Sequence, residues 1–270
     1  MIILKTQEEI ELIREACEIT SSCYELVEQA IKPGISTFEI DQLVHEHIIS
    51  QGATPGFLNY GEPPFPSSAC ISINEEVVHG IPKKDRFLKE GDIVSVDLGA
   101  EYKGYHGDSA RTYLVGEVRS TWQKLVRVAE EAFWQGMRQV KKGNRLGDIG
   151  HAVQTYTEKH GFGVIRELTG HGIGADLHED PNLLNYGKKG RGVRLEVGMV
   201  MCLEPMITEG DHSVILANDQ WTILTRDKKA AAHYENTFAI TENGVEILTL
   251  TVEERKKYAN EITELKATKW

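Results

Sequence analysis

Ile10, Ile13, Ala16, Cys17, Cys23 and Val27 recur at roughly helical spacing and predict a first helix. Thr6-Gln7-Glu8-Glu9 ahead of them has the form of a capping box, in which hydroxyl and carboxylate each satisfy a backbone N–H that the first turn leaves free. Pro33-Gly34 ends this run. Ser36, with Glu39 three residues on, opens a second helix carrying Ile40, Leu43, Val44 and Ile48 and stopping at Gly52. From Ala69 to Gly116 the pattern becomes short β-rich runs: Cys70-Ile71-Ser72-Ile73, Ile93-Val94-Ser95-Val96 and Arg111-Thr112-Tyr113-Leu114-Val115. Helical spacing returns over 120–142 and 146–160, and short strands are expected across most of 164–250.

The order helix, helix, strands therefore occurs twice, and residues match across the two occurrences. Gly34, Glu39, Ile40, Val44 and Gly52 align with Gly143, Asp148, Ile149, Val153 and Gly161 at an offset of 109. Leu88, Gly91 and Asp97 align with Leu195, Gly198 and Glu204 at an offset of 107, and His106-Gly107-Asp108 resembles His233-Tyr234-Glu235. No Pro/Gly/Ser-rich linker intervenes. The expectation is one α+β domain over residues 1–270, built from two related halves (1–118 and 119–250) with a site between them.

Composition narrows the function classes. A chain of 270 residues can bury about three quarters of its unfolded surface without a metal or disulfide staple. Lys+Arg total 30 against 41 Asp+Glu, a net charge of −11, which argues against a nucleic-acid or anionic-membrane binder. There is no membrane-length apolar run, and the start of the chain lacks the order of regions of a signal peptide, so a cytoplasmic location is expected. Cys17, Cys23, Cys70 and Cys202 form no C-x-x-C pair and read as small buried hydrophobes.

Candidate chemistry lies in acids set against apolar β runs. Asp97 follows Ile93-Val94-Ser95-Val96 and is expected at or near a strand end. Asp108 lies across a turn expected to contain Gly104 and Gly107. Glu204 follows Val200-Met201-Cys202-Leu203, Glu235 precedes Thr237-Phe238-Ala239-Ile240, and His171 is held in Gly170-His171-Gly172-Ile173-Gly174. Singly, each acid has an ordinary account as a turn, cap or edge residue. For the set that account weakens, because strand-end acids recur in both halves at matched positions, and a carboxylate buried without a partner costs several kcal/mol. Four acids and one imidazole converging is what a pair of divalent cations requires, and a donor set without thiolate favours manganese, iron or cobalt over structural zinc. His79, within Val77-Val78-His79-Gly80, and His178, beside Glu179 and Asp180, which read as solvated, have equally good readings as loop or surface histidines on sequence alone. The basic clusters Lys188-Lys189-Arg191-Arg194 and Arg226-Lys228-Lys229 read as solvated loops.

This series, together with His79 and the stretch from Gly170 to Pro181, resembles the type I methionine aminopeptidases, members of the "pita-bread" metallopeptidases, over essentially the whole chain and in their short bacterial form. Asn236 stands where histidine is frequent in the family and Leu177 where an aromatic is common, and residues 54–69 align poorly. The resemblance implies a pita-bread fold, two pseudo-symmetric halves around a central antiparallel sheet. It implies two divalent ions (cobalt, manganese or iron, with zinc also admitted) sharing a water. Asp97 would chelate one ion, Asp108 and Glu235 would bridge, and His171 and Glu204 would complete the other. Glu204 would also act as general base, His178 would donate to the carbonyl oxygen and His79 would assist the scissile nitrogen. Cys70, Tyr60, Phe65, Leu177 and Trp221 would line a methionine pocket, and a monovalent cation would sit near Asn74. The implied activity is removal of the initiator methionine from nascent chains whose second residue is small, by a monomer in contact with the ribosome and with no sequence-specific nucleic-acid binding. Two rival readings are an Xaa-Pro aminopeptidase or prolidase, which shares the metal set, and a catalytically dead pita-bread binding module.

Overall fold

The computed structural model describes all residues, Met1–Trp270. Helix α1 (Gln7–Ala30) begins at the predicted capping box: the Glu9 N–H donates to the Thr6 hydroxyl (3.2 Å) and the Thr6 N–H to the Glu9 carboxylate (2.8 Å). Helix α2 (Thr37–Ser50) repeats the device with Ser36 and Glu39. Helix α3 (Ser120–Met137) stops five residues short of the expected end, because Gln139 and Val140 bond back to Gly136 and Met137 in a tighter turn that delivers Val140 to the core. Helix α4 spans Leu146–Lys159, and two short helices, α5 (Val252–Lys257) and α6 (Ala259–Lys266), follow the last strand. No helix is long and apolar enough to cross a membrane.

A nine-stranded antiparallel sheet forms the centre of this α+β fold. Its strands run in the order Thr54–Pro55, Ile93–Tyr102, Tyr105–Leu114, Glu235–Thr241, Val200–Leu203, Gly170–Gly172, Glu179–Leu183; Ala69–Ile73 also pairs with Ile93–Tyr102, and Gly244–Ile247 with Glu235–Thr241. One apolar cluster joins α1 and α2 to the first strands, a larger one joins α3 and α4 to the later ones, and a third, containing Cys17, Cys70, Cys202, Ile173 and Leu177, lies between. All four cysteines are buried free thiols. Two isolated bridges have matching places: Ser36 pairs with Phe87, and Arg145 with Arg194.

Asp97 and Asp108 are not at strand ends. Both lie inside a hairpin of two ten-residue strands whose tight turn is Lys103-Gly104 alone. Gly107 belongs to the strand, where a Cβ would come within 2.6 Å of the Cys17 backbone nitrogen, so its role is close packing of α1 on the sheet.

Candidate metal centre

Five consecutive strands of the sheet each bring one predicted residue to the same place: Asp97, Asp108, Glu235, Glu204 and His171, in that spatial order. The pairing register explains the convergence. Ala110 is the cross-strand partner of both Asp97 and Glu235, and Asp108, two residues from Ala110, shares its face. Glu204 follows Leu203, which pairs with Asn236, so it arrives beside Glu235. The glycines flanking His171 permit close approach: a Cβ on Gly170 would lie 2.3 Å from the Cys202 carbonyl oxygen, and one on Gly172 equally near that of Asp180.

All five side chains are buried, between 2% and 9% exposed. His171 Nδ1 donates to the Gly172 carbonyl (2.9 Å), which leaves Nε2 as the free acceptor. That nitrogen is 3.6 Å from Glu204 Oε1, 3.7 Å from Asp108 Oδ2 and 4.0 Å from Glu235 Oε1. Burial pushes the carboxyls of Asp97, Asp108, Glu204 and Glu235 upward, and for Asp97, Glu204 and Glu235 like charge from their neighbours adds to it. Burial drives His171 down to about 3, so its ring is neutral at ordinary pH.

The residues fit divalent cations. Asp97 Oδ1, Asp108 Oδ1 and Glu235 Oε1 are buried without any hydrogen-bond partner, an arrangement that costs several kcal/mol unless a cation satisfies it. Donor atoms of Asp108, His171, Cys202 and Glu235 lie within 4.8 Å of one another, as do those of Asp97, His233 and Glu235.

These acids form one end of a cavity of about 250 Å³, lined also by Tyr60, Phe65, Cys70, His79, Leu177, His178 and Trp221. Every site residue expected from the sequence except Asn74 therefore meets at this cavity. Asn74 lies apart, its amide donating to Asp92 Oδ1 (2.9 Å) and accepting from the Ile93 N–H (3.0 Å). Trp221 packs edge-on against both Phe65 and His79. His79 adopts φ +59°, an uncommon conformation for a non-glycine residue, and burial lowers its pKa to about 4. Tyr60 remains 39% exposed at the rim.

Three features escaped the sequence reading. Glu179 is not solvated: its carboxylate pairs with Lys5, both side chains being at most 6% exposed. Glu167, Leu168 and Thr169 supply part of the cavity wall from a turn that carries no local signal. His233 faces the acid cluster from the side opposite His171, and its position two residues before Glu235 was the available cue, since alternate residues of an extended chain share a face. Asn236, the departure from the common pattern, is tied to Arg111 (2.8 Å) and to the Thr249 hydroxyl (2.9 Å).

Residues 11–242 match the model of metallopeptidase family M24. A methionine aminopeptidase of Clostridium acetobutylicum is 49% identical over 250 residues, covering 93% of this chain and 99% of that protein. The crystal structure of a methionine aminopeptidase from Thermotoga maritima superposes with a TM-score of 0.90 at 45% identity, covering 93% of this chain and all of the other. A prolidase from Pyrococcus furiosus shares the fold at a TM-score of 0.72 and 25% identity, and this chain spans 66% of it. The fold is thus the pita-bread fold, and the chain, with a cluster of acids and histidine that could hold metal, belongs to metallopeptidase family M24 as one of its methionine aminopeptidases.

Proposed function

We propose that this enzyme removes the N-terminal methionine of nascent proteins whose second residue is small, with Asp97, Asp108, His171, Glu204 and Glu235 holding two divalent metal ions. The observation that carries this reading is the set of buried, unpartnered carboxylate oxygens at one end of an otherwise largely apolar cavity. Such ions, when bound, lower the pKa of water toward neutrality and polarise a carbonyl; cobalt, manganese and iron suit the donor set. Glu204 accepts the proton of the attacking water and passes it toward the leaving amine. His178 donates from Nε2 to the carbonyl oxygen as charge develops there, and His79 donates toward the scissile nitrogen. The methionine side chain lies among Cys70, Phe65, Leu177, Tyr60 and Trp221, where apolar surface and aromatic edges suit a thioether.

The same reading treats residues 1–270 as a single catalytic domain of two halves. It is supported by the two isolated bridges, whose members are separated by 109 (Ser36, Arg145) and 107 (Phe87, Arg194), the offsets found in the sequence. It further places the enzyme in the cytoplasm as a monomer meeting nascent chains at the ribosome, with a monovalent cation near Asn74. The deciding experiment is peptide hydrolysis. Met-Ala-Ser should lose methionine while Ala-Pro stays intact, and a chelator should abolish activity until manganese, iron or cobalt is returned. Cleavage of Ala-Pro instead, or activity indifferent to chelation, would overturn it.

A further inference from the structure

His233 has no part in the scheme above. Its ring is buried (1% exposed), and neither ring nitrogen has a hydrogen-bond partner. The backbone on either side of the ring is pinned: the His233 N–H donates to the Thr112 hydroxyl (2.9 Å), which itself donates to the His233 carbonyl (2.8 Å). Nε2 lies 3.6 Å from Glu235 Oε2 and 3.7 Å from Glu204 Oε2. These separations are too long for hydrogen bonds. They are close to the spacing of two donors on one ion, since bonds of about 2.0–2.2 Å at ordinary coordination angles put donor atoms about 3–3.5 Å apart.

His171 stands to the same two glutamates as His233 does. Glu204 turns Oε1 toward His171 and Oε2 toward His233, and Glu235 divides its two oxygens between the same two rings in the same way. The two imidazoles thus flank one pair of glutamates from opposite sides. Asp97 completes a set with His233 and Glu235, and Asp108 a set with His171 and Glu235.

We propose that His233 is a sixth metal ligand, binding through Nε2 the ion held on the Asp97 side, so that each of the two ions has one imidazole. The proposal rests on the two-metal reading of the site. A nitrogen donor at both positions shifts preference toward the later first-row metals, zinc and cobalt over manganese, relative to a position made of oxygens alone.

The test follows ring nitrogens rather than turnover. Protein labelled with 15N-histidine receives Zn²⁺ stepwise to two equivalents, and two-bond 1H–15N spectra report the state of each Nε2. Two histidines should move to metal-bound nitrogen shifts, one per equivalent, and the signal missing from His233→Gln should be one of them. Competition with a chromophoric chelator should show one zinc equivalent weakened by more than about 100-fold in that variant, beyond the roughly 10–100-fold that loss of a merely orienting partner costs. A wild-type spectrum in which a single histidine shifts, the other keeping its proton on Nε2, overturns the proposal and leaves the metal centre standing. No zinc uptake at all by the wild type overturns both. The wild-type count decides even if the variant does not fold.

Discussion

The Tyr60 hydroxyl meets His178 Nδ1 at 2.5 Å, their rings 5.1 Å apart at the mouth of the cavity. Burial keeps His178 neutral by lowering its pKa, so the phenol donates to Nδ1 and the ring proton stays on Nε2, the nitrogen from which the proposed donation to a substrate oxygen would come. Tyr60→Phe should therefore lower kcat by about 10-fold, the cost of loosening one transition-state donor, with metal content unchanged. Steady-state kinetics on Met-Ala-Ser with metal analysis checks this. An unchanged kcat would show that Tyr60 only lines the pocket.

His79 tests binding against chemistry. His79→Ala should retain wild-type metal content while kcat/KM falls by about 10²–10³. If metal occupancy fell with it, His79 would be a ligand.

The same residue sets an acid limit on stability. Burial lowers His79 from 6.5 to about 4, so between those values the unfolded chain takes up a proton that the folded chain refuses. Its contribution to stability is complete above pH 6.5 and falls as pH drops toward 4, by about 3 kcal/mol. Urea unfolding at pH 7 and pH 5 should show a smaller difference for His79→Gln than for wild type; an equal or larger one would contradict this.

Arg111 braces the back of the centre. It lies between the rings of Tyr234 (4.5 Å) and Tyr24 (5.0 Å), pairs with both oxygens of Glu254 and donates to the Glu235 carbonyl (2.5 Å). Arg111→Met strands Glu254 and should cost about 3 kcal/mol in denaturant unfolding. Burial pushes Glu254 up, but Arg111 wins and holds it below its ordinary 4.5, so this stability is present above that pH and lost as acid protonates the folded carboxyl. A Glu254→Gln variant as stable as wild type at pH 7 would refute the brace.

Asp108→Ala should abolish turnover, since Asp108 faces both His171 and the other acids, and Glu204→Gln should lower kcat by several orders of magnitude. Near wild-type peptidase activity in folded Asp108→Ala would remove the basis of the metal assignment.

Under the proposed function, substrate choice would follow from crowding. A β-branched second residue is stiff at χ1 and could not turn its bulk away from metal ions held by the acids, and a misplacement of about 1 Å costs on the order of 10²-fold in rate. Met-Ala, Met-Gly and Met-Ser peptides should be cut far faster than Met-Ile or Met-Leu. Equal rates would mean a wider second pocket.

Local chemistry determined much of this protein. Capping boxes at Thr6 and Ser36 act within one helical turn, so residues three apart suffice to start α1 and α2. The clustered acids were legible because charges set against apolar β runs demand a partner wherever they end up. Depth and pairing were not legible. Asp97 and Asp108 lie within long strands because the hairpin continues through Gly99 and Gly107, whose lack of a side chain hides the strand pattern and whose fit is set by Phe57 and α1. Glu179 looked solvated beside Asp180, and only Lys5, 174 residues away, makes its burial tolerable. His233 was visible as a match to His106, yet of the two only His233 comes within 4 Å of the acids; His106, on the face of Asp108 but nearer the hairpin turn, meets the charges of Glu101, Asp176 and Glu179 instead, because segments distant in the chain decide which neighbours each ring finds.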